Sequence, residues 1–299
     1  MALHTAGVVF LVATVSFFLL QIVPGDPAAV VAGLDAAPAT VEAVRAQLGL
    51  DVPWPVRYVD WISGLARGSF GVSYVQKTPV AELVARRLPI TAALAGLALL
   101  FSITAAILMA LLSRLGRAAA TFVRVMEYAS FAFPQFWIGL LLLSYFGLHL
   151  GWFPVVGSEG LQRLVLPAVA LSLGNAAVLS RTIRAGLAEQ LRSAHVVAAR
   201  SLGVSRLRIA VVHVLPLALI PAVTIVAIQA GYLLAGAIVV EQVFGIPGLG
   251  RLALTAIGQR DLPVIQAVVV VFGVAFPLFS MIGDVILGAL WPRLRQQQR

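Results

Sequence analysis

The chain has 299 residues, of which 61% are hydrophobic and 11% are charged, and its mean hydropathy is +1.00. A soluble domain carries about 25% charged residues, so this composition excludes a soluble globular protein and predicts a polytopic membrane protein. The absence of cysteine excludes disulfides, thiolate metal sites and cysteine nucleophiles. The net charge of +9 indicates basic residues concentrated in cytoplasmic loops rather than nucleic-acid binding.

The N-terminal stretch is the first of six apolar stretches that reach the roughly 20 residues needed to cross a bilayer as a helix. No basic region precedes it and PGDP follows it, so we expect a retained first span rather than a cleaved signal peptide. The predicted fold class is therefore an all-α polytopic membrane protein with six transmembrane helices. These predicted spans are residues 5–23, 89–112, 125–150, 164–182, 216–240 and 264–290.

Arginine is concentrated in the loops on one side of the predicted membrane. Loops 113–124 and 183–215 and the C-terminal tail hold most of the loop arginines, whereas loops 151–163 and 241–263 hold only three. Short loops rich in arginine and lysine stay in the cytoplasm. Both termini are therefore predicted to be cytoplasmic, and residues 24–88 extracytoplasmic.

The segment 24–88 is the one long stretch outside the predicted spans. Its pattern predicts a helix from an N-cap at Thr40 to a terminating Gly49, and a second helix within residues 55–68. Residues 80–89 are predicted to form an elbow helix that lies along the membrane before the second span. The predicted division of the chain is residues 1–23 (first span), 24–88 (extracytoplasmic segment with the elbow helix) and 89–299 (permease core with five spans).

The cytoplasmic stretch 194–216 predicts a helical hairpin. Residues 194–202 fit a short helix ended by Gly203 in the left-handed conformation. Ser205 fits the N-cap of a second helix that begins at Arg206 and ends at Leu-Pro. One face of that second helix is predicted to hold Ile209, Val212 and His213.

Two other interpretations of the hairpin stay open at this point. It could be a plain loop whose arginines only fix the topology and touch anionic lipid. It could also be a helix-turn-helix that reads DNA, although a segment tethered to the membrane at both ends does not readily reach a major groove.

The hairpin resembles the EAA loop of permease subunits in bacterial ABC importers, whose pattern is E-A-A, three residues, G, nine residues, I-x-L-P. Val197 stands in place of the glutamate and His213 in place of the isoleucine, while the other conserved positions match. The resemblance implies a coupling helix that docks in a groove of a cytoplasmic ATPase. The residues implied in this coupling are Ala198, Ala199, Arg200, Gly203, Val204, Arg206, Leu215 and Pro216.

Four further segments extend the resemblance over nearly the whole chain. They are PGDP (24–27), LGLDVPWPVRYVDWISGLARGSFGVSY (48–74), FPQFWIGLLLL (133–143) and VVEQVFGIPGLGRLALTAIGQRDLPVIQ (239–266). Together they are similar to the permease of the dipeptide, oligopeptide and nickel branch that has a long segment after its first span. The implied fold is that of a type I ABC importer.

The resemblance also implies partners and a location in the bacterial cytoplasmic membrane. A second homologous permease would complete the path, two cytoplasmic subunits would bind ATP and Mg²⁺, and an extracytoplasmic solute-binding protein would deliver the solute. No nucleic acid is expected as a partner. The implied cargo is a di- or oligopeptide, with nickel chelates or glutathione-like solutes as alternatives.

The residues themselves argue against other activities. A phosphate-binding loop needs a lysine after glycine, but the sole lysine, Lys77, follows Gln76, so this chain is expected to hydrolyse no ATP and to hold no catalytic residues. The four histidines are scattered, so no metal or cofactor of its own is expected. An ion-coupled secondary transporter is the alternative from another class. It is disfavoured because Glu127 and Asp284 lie only near the ends of the predicted spans.

A few polar residues within or beside the spans are candidates for function. Gln229 and Asn175 are candidates for the translocation path, with a hydrogen bond between helices as the alternative. Glu127 is expected to pair with Arg124, and Asp284 with a nearby arginine. The candidates for contact with the binding protein, or else solvated loop charges, are Glu241, Arg251, Arg260 and Asp261.

Overall fold

The computed structural model describes residues 2–22, 25–33, 35–154, 160–205 and 208–290. Within these ranges the chain is helical apart from its turns and loops, and its one β feature is an isolated bridge between Val72 and Pro79. The α-helices in chain order are α1 (Ala2–Ile22), α2 (Pro27–Ala32), α3 (Pro38–Gln47), α4 (Trp54–Ala66), α5 (Val80–Leu112), α6 (Arg117–Ala132), α7 (Gln135–Leu142), α8 (Val165–Gln190), α9 (Ala194–Ser201), α10 (Leu215–Ala218), α11 (Ile220–Val243), α12 (Leu249–Gly258) and α13 (Leu262–Leu290). The predicted all-α class is confirmed.

Five described helices are long and apolar enough to cross a membrane, namely α1, α5, α8 with the 3₁₀ turn before it, α11 and α13. The sixth candidate is a pair, α6 and α7 with the π-helix Leu143–His149 that continues α7, and the pair is bent by 102°. The span predicted over 125–150 thus corresponds to a bent pair that begins at Arg117, and the sequence interpretation placed no bend within it. Phe133 adopts an extended conformation (φ −111°, ψ 134°) because Pro134 disfavours a helical residue before it.

Helix α5 runs without a break through Pro89, so the predicted separate elbow helix over 80–89 is also wrong. A proline inside a helix removes one hydrogen bond and usually kinks or ends the helix. Here the first turns are held by packing, because Val80, Leu83 and Val84 are buried in a core cluster with residues of α12 and α13. Burial of these side chains outweighs the lost hydrogen bond.

Other predicted loops are shorter than expected because helices extend into them. Helix α6 begins at Arg117, inside the predicted loop 113–124, and α8 continues to Gln190. Helix α12 occupies part of the predicted loop 241–263 and buries one apolar face. The residues of that face are Leu249, Leu252, Ala253 and Ala256.

The described chain forms two compact units, and the boundaries between them fall inside α5, between α11 and α12, and inside α13. The first combines the residues up to Ala92 with Gly245–Pro277, and the second combines Ala93–Phe244 with the chain from Leu278. In the first unit α12 and the first half of α13 pack with the start of α5. The division predicted at residues 23 and 88 follows the membrane topology and stays a prediction.

In the first unit, α1 packs against α4. The hydroxyl groups of Thr14 and Tyr58 are 2.8 Å apart, and the rings of Phe17 and Tyr58 meet edge to face. Helix α3 begins at Pro38, which is suited to a first helical position, so the predicted N-cap at Thr40 is wrong. Gly49 does end α3, with φ +65°.

The loop 71–79 of the first unit is fastened to the start of α13 by Asp261. This carboxylate is only 1% exposed and accepts hydrogen bonds from the Ser73 hydroxyl, the Tyr74 N–H (3.0 Å) and the Val75 N–H (3.5 Å). The Ser73 hydroxyl oxygen in turn accepts the Gln76 N–H at 2.8 Å. A buried charge is tolerated here because donors from the loop satisfy it.

The second unit is built around α8, which has buried residues along its length. Small residues bring neighbouring helices close to each other. A side chain at Gly186 would come within 3.0 Å of the Ala218 carbonyl oxygen, and one at Gly283 within 2.5 Å of the Ala227 side chain. Gly236 of α11 similarly lies against Leu171, as expected for a glycine that permits close packing in a membrane helix.

Replacing Asp261 by alanine tests the fastening of loop 71–79. We expect a loss of about 2 kcal/mol of stability and faster proteolytic cleavage of the loop, because the Ser73 hydroxyl and two backbone N–H groups would lose their acceptor. Unfolding and cleavage are measured on the purified protein in detergent. Asp51→Ala, which removes an exposed acid of the same unit, should change neither. An unaltered cleavage rate in Asp261→Ala would contradict this role.

Candidate functional site

The hairpin predicted over 194–216 is present in the second unit, although the side chains of Arg200 and Arg206 lie outside the described residues. Helix α9 ends before Gly203, whose φ of +77° is left-handed, and the Val204 N–H returns to the Ala199 carbonyl at 3.2 Å. The Ser205 hydroxyl accepts the Arg208 N–H at 3.4 Å, as an N-cap does. The predicted glycine corner and serine cap are confirmed.

The second half of the hairpin differs from the prediction. It is a π-helix over Ile209–Val214, and it continues into α10, so it does not end at Leu215 and Pro216. Pro216 is accommodated because it lies in the first turn of α10, where its missing N–H costs no hydrogen bond.

The buried face of this π-helix also differs from the predicted one. It holds Ile209, Ala210 and Val214, whereas Val212 is 56% exposed. Hydrogen bonds from i to i+5 widen each turn and bring residues five apart to the same side. Ile209 and Val214 therefore share a face, in place of the predicted Ile209, Val212 and His213.

The hairpin has a buried base and an exposed apolar tip. At the base, Val196, Ile209 and Val214 are buried in one cluster with Ile183 and Leu187 of α8. At the tip, Leu202 is 83% exposed and Val197 is 57% exposed, and a side chain at Gly203 would meet no atom within 4 Å. Of the other implied coupling residues, Ala198 and Pro216 are exposed, and Ala199, Val204 and Leu215 are partly buried.

A buried ion pair joins α6 to α8 close to this base. Glu127 is 2% exposed, and its carboxylate accepts hydrogen bonds from Arg184 Nη1 at 2.8 Å and from the Ser180 hydroxyl at 2.7 Å. The predicted pairing of Glu127 with Arg124 is wrong, since Arg124 instead donates to Thr121 Oγ1 at 3.0 Å. Ser180 and Arg184 are four residues apart on one face of α8, so both reach the same carboxylate.

The two candidates for the translocation path differ in their surroundings. Asn175 donates a hydrogen bond from Nδ2 to the Leu171 carbonyl of its own helix at 3.1 Å. Gln229 is 6% exposed, and its Oε1 is buried without a hydrogen-bond partner in the described part of the chain. The Gln229 carboxamide oxygen can thus accept a hydrogen bond inside the second unit. Both residues remain candidates for the path.

The four candidates for contact with a binding protein separate into two kinds. Glu241 is 0% exposed and Asp261 is 1% exposed, so the prediction that they are surface charges is wrong. Arg251 is exposed and donates from Nη1 to the Gly245 carbonyl at 2.8 Å, while Arg260 is partly buried. For these two arginines the contact stays a prediction.

Two further predictions from the sequence concern the partner of Asp284 and the binding of metal ions. Asp284 is exposed, and it forms no ion pair with any described residue, so its predicted arginine partner is not found there. Within the described ranges no group of three or more histidine, aspartate or glutamate side chains is placed to hold a metal ion.

Comparison with known proteins agrees with this architecture. Residues 102–296 match the family described as "Binding-protein-dependent transport system inner membrane component", and residues 2–95 match "Binding-prot-dependent transport system membrane comp, N-term". The chain belongs to this family of transport permeases. It is a multi-pass permease subunit of an ABC importer, and the ion-coupled secondary transporter considered from the sequence is set aside.

Curated relatives and solved structures support the assignment of this permease. The glutathione transport system permease protein GsiC of Escherichia coli is 37% identical over 290 residues, covering 96% of this chain and 94% of the relative, and the Shigella dysenteriae protein of that name gives the same values. The methionine ABC transporter MetNI, in an inward-facing conformation, aligns with a TM-score of 0.56 at 21% identity over 70% of this chain and 96% of that chain. An amino acid ABC transporter with histidines aligns with a TM-score of 0.53 at 20% identity over 69% and 93%. At these identities the two structures show the fold alone.

Replacing Glu127 by glutamine tests the buried pair of the permease. We expect a loss of about 3 kcal/mol of stability, because the Arg184 guanidinium would stay largely buried without its counter-charge. The double variant Glu127→Leu with Arg184→Leu should recover most of this loss, since no charge is then left buried. Unfolding in detergent is the measurement. Glu189→Gln, at an exposed site on α8, is the control. A single variant as stable as the parent would contradict the pairing.

Proposed function

We propose that this permease imports short peptides and that two cytoplasmic ATP-binding subunits drive it through the hairpin 194–216. Permeases of this family in general work with a second permease, ATP-binding subunits and a binding protein. In this proposal a second homologous permease completes the translocation path, and an extracytoplasmic solute-binding protein delivers the peptide. ATP and Mg²⁺ belong to the ATP-binding subunits.

The observation that carries the proposal is the contrast between the tip and the base of the hairpin. Leu202 is 83% exposed on a helix corner that no described residue covers. Large apolar side chains projecting beside small residues are typical of a surface that a partner protein buries. The corner is also too polar in its flanking sequence to enter lipid, since it lies between Arg200 and Arg206.

The packed base of the hairpin can transmit a movement of the tip to α8. Val196, Ile209 and Val214 pack with Ile183 and Leu187 of α8, so a displacement of the tip acts on α8 through close-packed side chains. Close-packed interiors shift between discrete arrangements and do not deform continuously. ATP-dependent pressure on the tip would thus bias α8 between two positions, which is the physical meaning of coupling between distant sites.

The orientation follows from the same proposal. The hairpin must face the subunits that bind ATP, so it lies in the cytoplasm together with both termini. The arginine-rich loops support this orientation, because short loops rich in arginine remain on the cytoplasmic side. The short helices α2, α3 and α4 then face outward, where a solute-binding protein arrives.

The proposed substrate class rests on the relatives. The permeases that are 37% identical over 96% of the chain are named for glutathione transport, and glutathione is itself a tripeptide. Short peptides, including glutathione-like ones, are therefore the substrate class that we propose. Nickel chelates, the other cargo of this branch, are the alternative that experiment must separate.

Replacing Gly203 by valine tests the hairpin. Valine is strained at a φ of +77°, so the corner should deform and ATP-dependent uptake should fall at least about tenfold, while the protein stays in the membrane. Gly203→Asn should keep most of the uptake, because asparagine tolerates the left-handed region. Gly68→Val is the matched control, since Gly68 also has φ +77° and open space around it but lies in the first unit. Uptake is measured in vesicles that contain the complete complex.

A second variant separates docking from folding in the same assay. Leu202→Asp places a charge on the exposed tip and should impair uptake and association with the ATP-binding subunits without changing thermal stability. Leu115→Asp is the control, because Leu115 is 75% exposed in the preceding cytoplasmic loop. Full transport by Gly203→Val, or equal effects of the two leucine variants, would reject the docking role.

Competition for uptake tests the substrate class. Vesicles with the complete complex, including its binding protein, should take up labelled glutathione or a labelled dipeptide only with hydrolysable ATP. An excess of unlabelled short peptide should suppress this uptake, whereas a nickel–histidine chelate should not. Suppression by the chelate together with failure of every peptide would replace peptides by metal chelates as the cargo.

A further inference from the structure

Two adjoining cavities lie in the first unit, among the ends of α1 and α13 and the short helices α2 to α4. Their volumes are about 300 Å³ and about 350 Å³. Arg57 and Leu262 line both cavities and therefore separate them. Small-molecule sites begin at about this size, and it exceeds what one docked side chain would fill.

The first cavity carries an excess of positive charge. Of the described residues that line it, Arg45, Arg57 and Arg260 are basic and Asp26 alone is acidic. Arg45 Nη2 pairs with Asp26 Oδ2 at 2.7 Å, and the described lining as a whole holds three guanidinium groups and one carboxylate. A concave surface with one excess sign of charge attracts ligands of the opposite sign, and guanidinium groups suit carboxylates through paired hydrogen bonds.

The backbone around this cavity is shaped to admit the Arg260 guanidinium. Gly25 has φ +123°, and a side-chain carbon there would come within 2.6 Å of Arg260 Nη2 and 2.7 Å of Arg260 Cζ. Arg260 itself has a φ of +55°, which is uncommon for a residue with a side chain. Such strain persists only where the surroundings enforce it, so the position of this guanidinium is built into the fold.

The second cavity offers groups that recognise amides. Gln266 lines it, is only 7% exposed, and its carboxamide makes no hydrogen bond to a described residue. In the same wall Trp61 Nε1 is buried without a partner in the described ranges. Burial raises the pKa of Tyr74 above its usual value, against the opposing effect of Arg57, so the phenol remains a neutral hydroxyl. The exposed acid Asp60 lies at the cavity as well.

We propose that the two cavities together form a binding site for a short zwitterionic peptide. The peptide carboxylate lies between Arg57 and Arg260, its amide faces Gln266, and its ammonium group faces Asp60. The inference rests on the proposed function in taking peptides as the ligand class. It adds a site within the first unit, whereas the path candidates Gln229 and Asn175 belong to the second unit.

Binding of alanyl-alanine and of its C-terminal amide tests the site. The purified complex is used without nucleotide and without its binding protein, and intrinsic fluorescence is the readout. We expect alanyl-alanine to change the fluorescence, with no change in Trp61→Phe, and the amide to bind at least about tenfold more weakly.

Variants locate the carboxylate in the same experiment. Arg260→Gln, Arg57→Gln and Gly25→Ala should each weaken dipeptide binding at least about tenfold, because each removes or displaces a guanidinium group. Arg67→Gln is the matched control, since Arg67 is an exposed arginine of the same segment outside both cavities and bonds only to Ser63 among the described residues. Thermal unfolding confirms that each variant is folded, and any variant that is not folded leaves the other two to decide.

Three outcomes would overturn the site. The first is equal binding of the dipeptide and its amide, and the second is unchanged binding in the folded arginine variants. The third is no response to dipeptide combined with loss of binding-protein association in Arg260→Gln, which would make the cavities a protein-docking surface. Uptake in the same preparations keeps the two proposals apart. Peptide uptake without a Trp61 response rejects this site alone, and a Trp61 response without uptake of any peptide rejects the proposed function alone.

Discussion

The structure depends on the need of a membrane chain to satisfy its backbone hydrogen bonds internally. Helices meet that need throughout most of the apolar spans. At two departures from a helix a polar side chain satisfies backbone N–H groups: Ser205 caps the chain after the glycine corner of the hairpin, and Asp261 accepts hydrogen bonds from the loop 71–79. Other polar side chains, such as Glu127 and Arg184, join neighbouring helices.

The second unit combines an exposed hairpin tip, which we propose as the docking surface, with a packed base. At the tip Leu202 and Val197 are exposed, while the base shares a core with α8. The Glu127–Arg184 pair fastens α8 to α6 on the same stretch of helix, one turn from Leu187 at that base. An ion pair of this kind contributes little net stability compared with apolar replacements, but it fixes which helix face meets which. A fixed contact between α6 and α8 suits the coupling role that we propose for α8.

The apolar pattern predicted the spans because it reports directly on burial in lipid, and glycine and serine predicted the hairpin corner because they act locally. Pro134 is a local signal for the break, but the apolar run on both sides of it is also typical of one continuous helix. Charged residues were harder to place, since their partners are distant in sequence. Glu127 meets Arg184 and Asp261 meets Ser73, and no local pattern specifies such pairs. The π-helix of the hairpin, Ile209–Val214, could not be predicted from the sequence because its wide turns produce no distinct period of apolar residues.

The bend between α6 and α7 constrains the assembled transporter. Phe133 and Pro134 interrupt the helix within the apolar stretch 125–150, so hydrogen bonding between successive turns stops there. Hydrocarbon chains offer no donors or acceptors to replace those bonds. The corner must accordingly be shielded from acyl chains by water, by the chain's own helices or by an adjoining subunit.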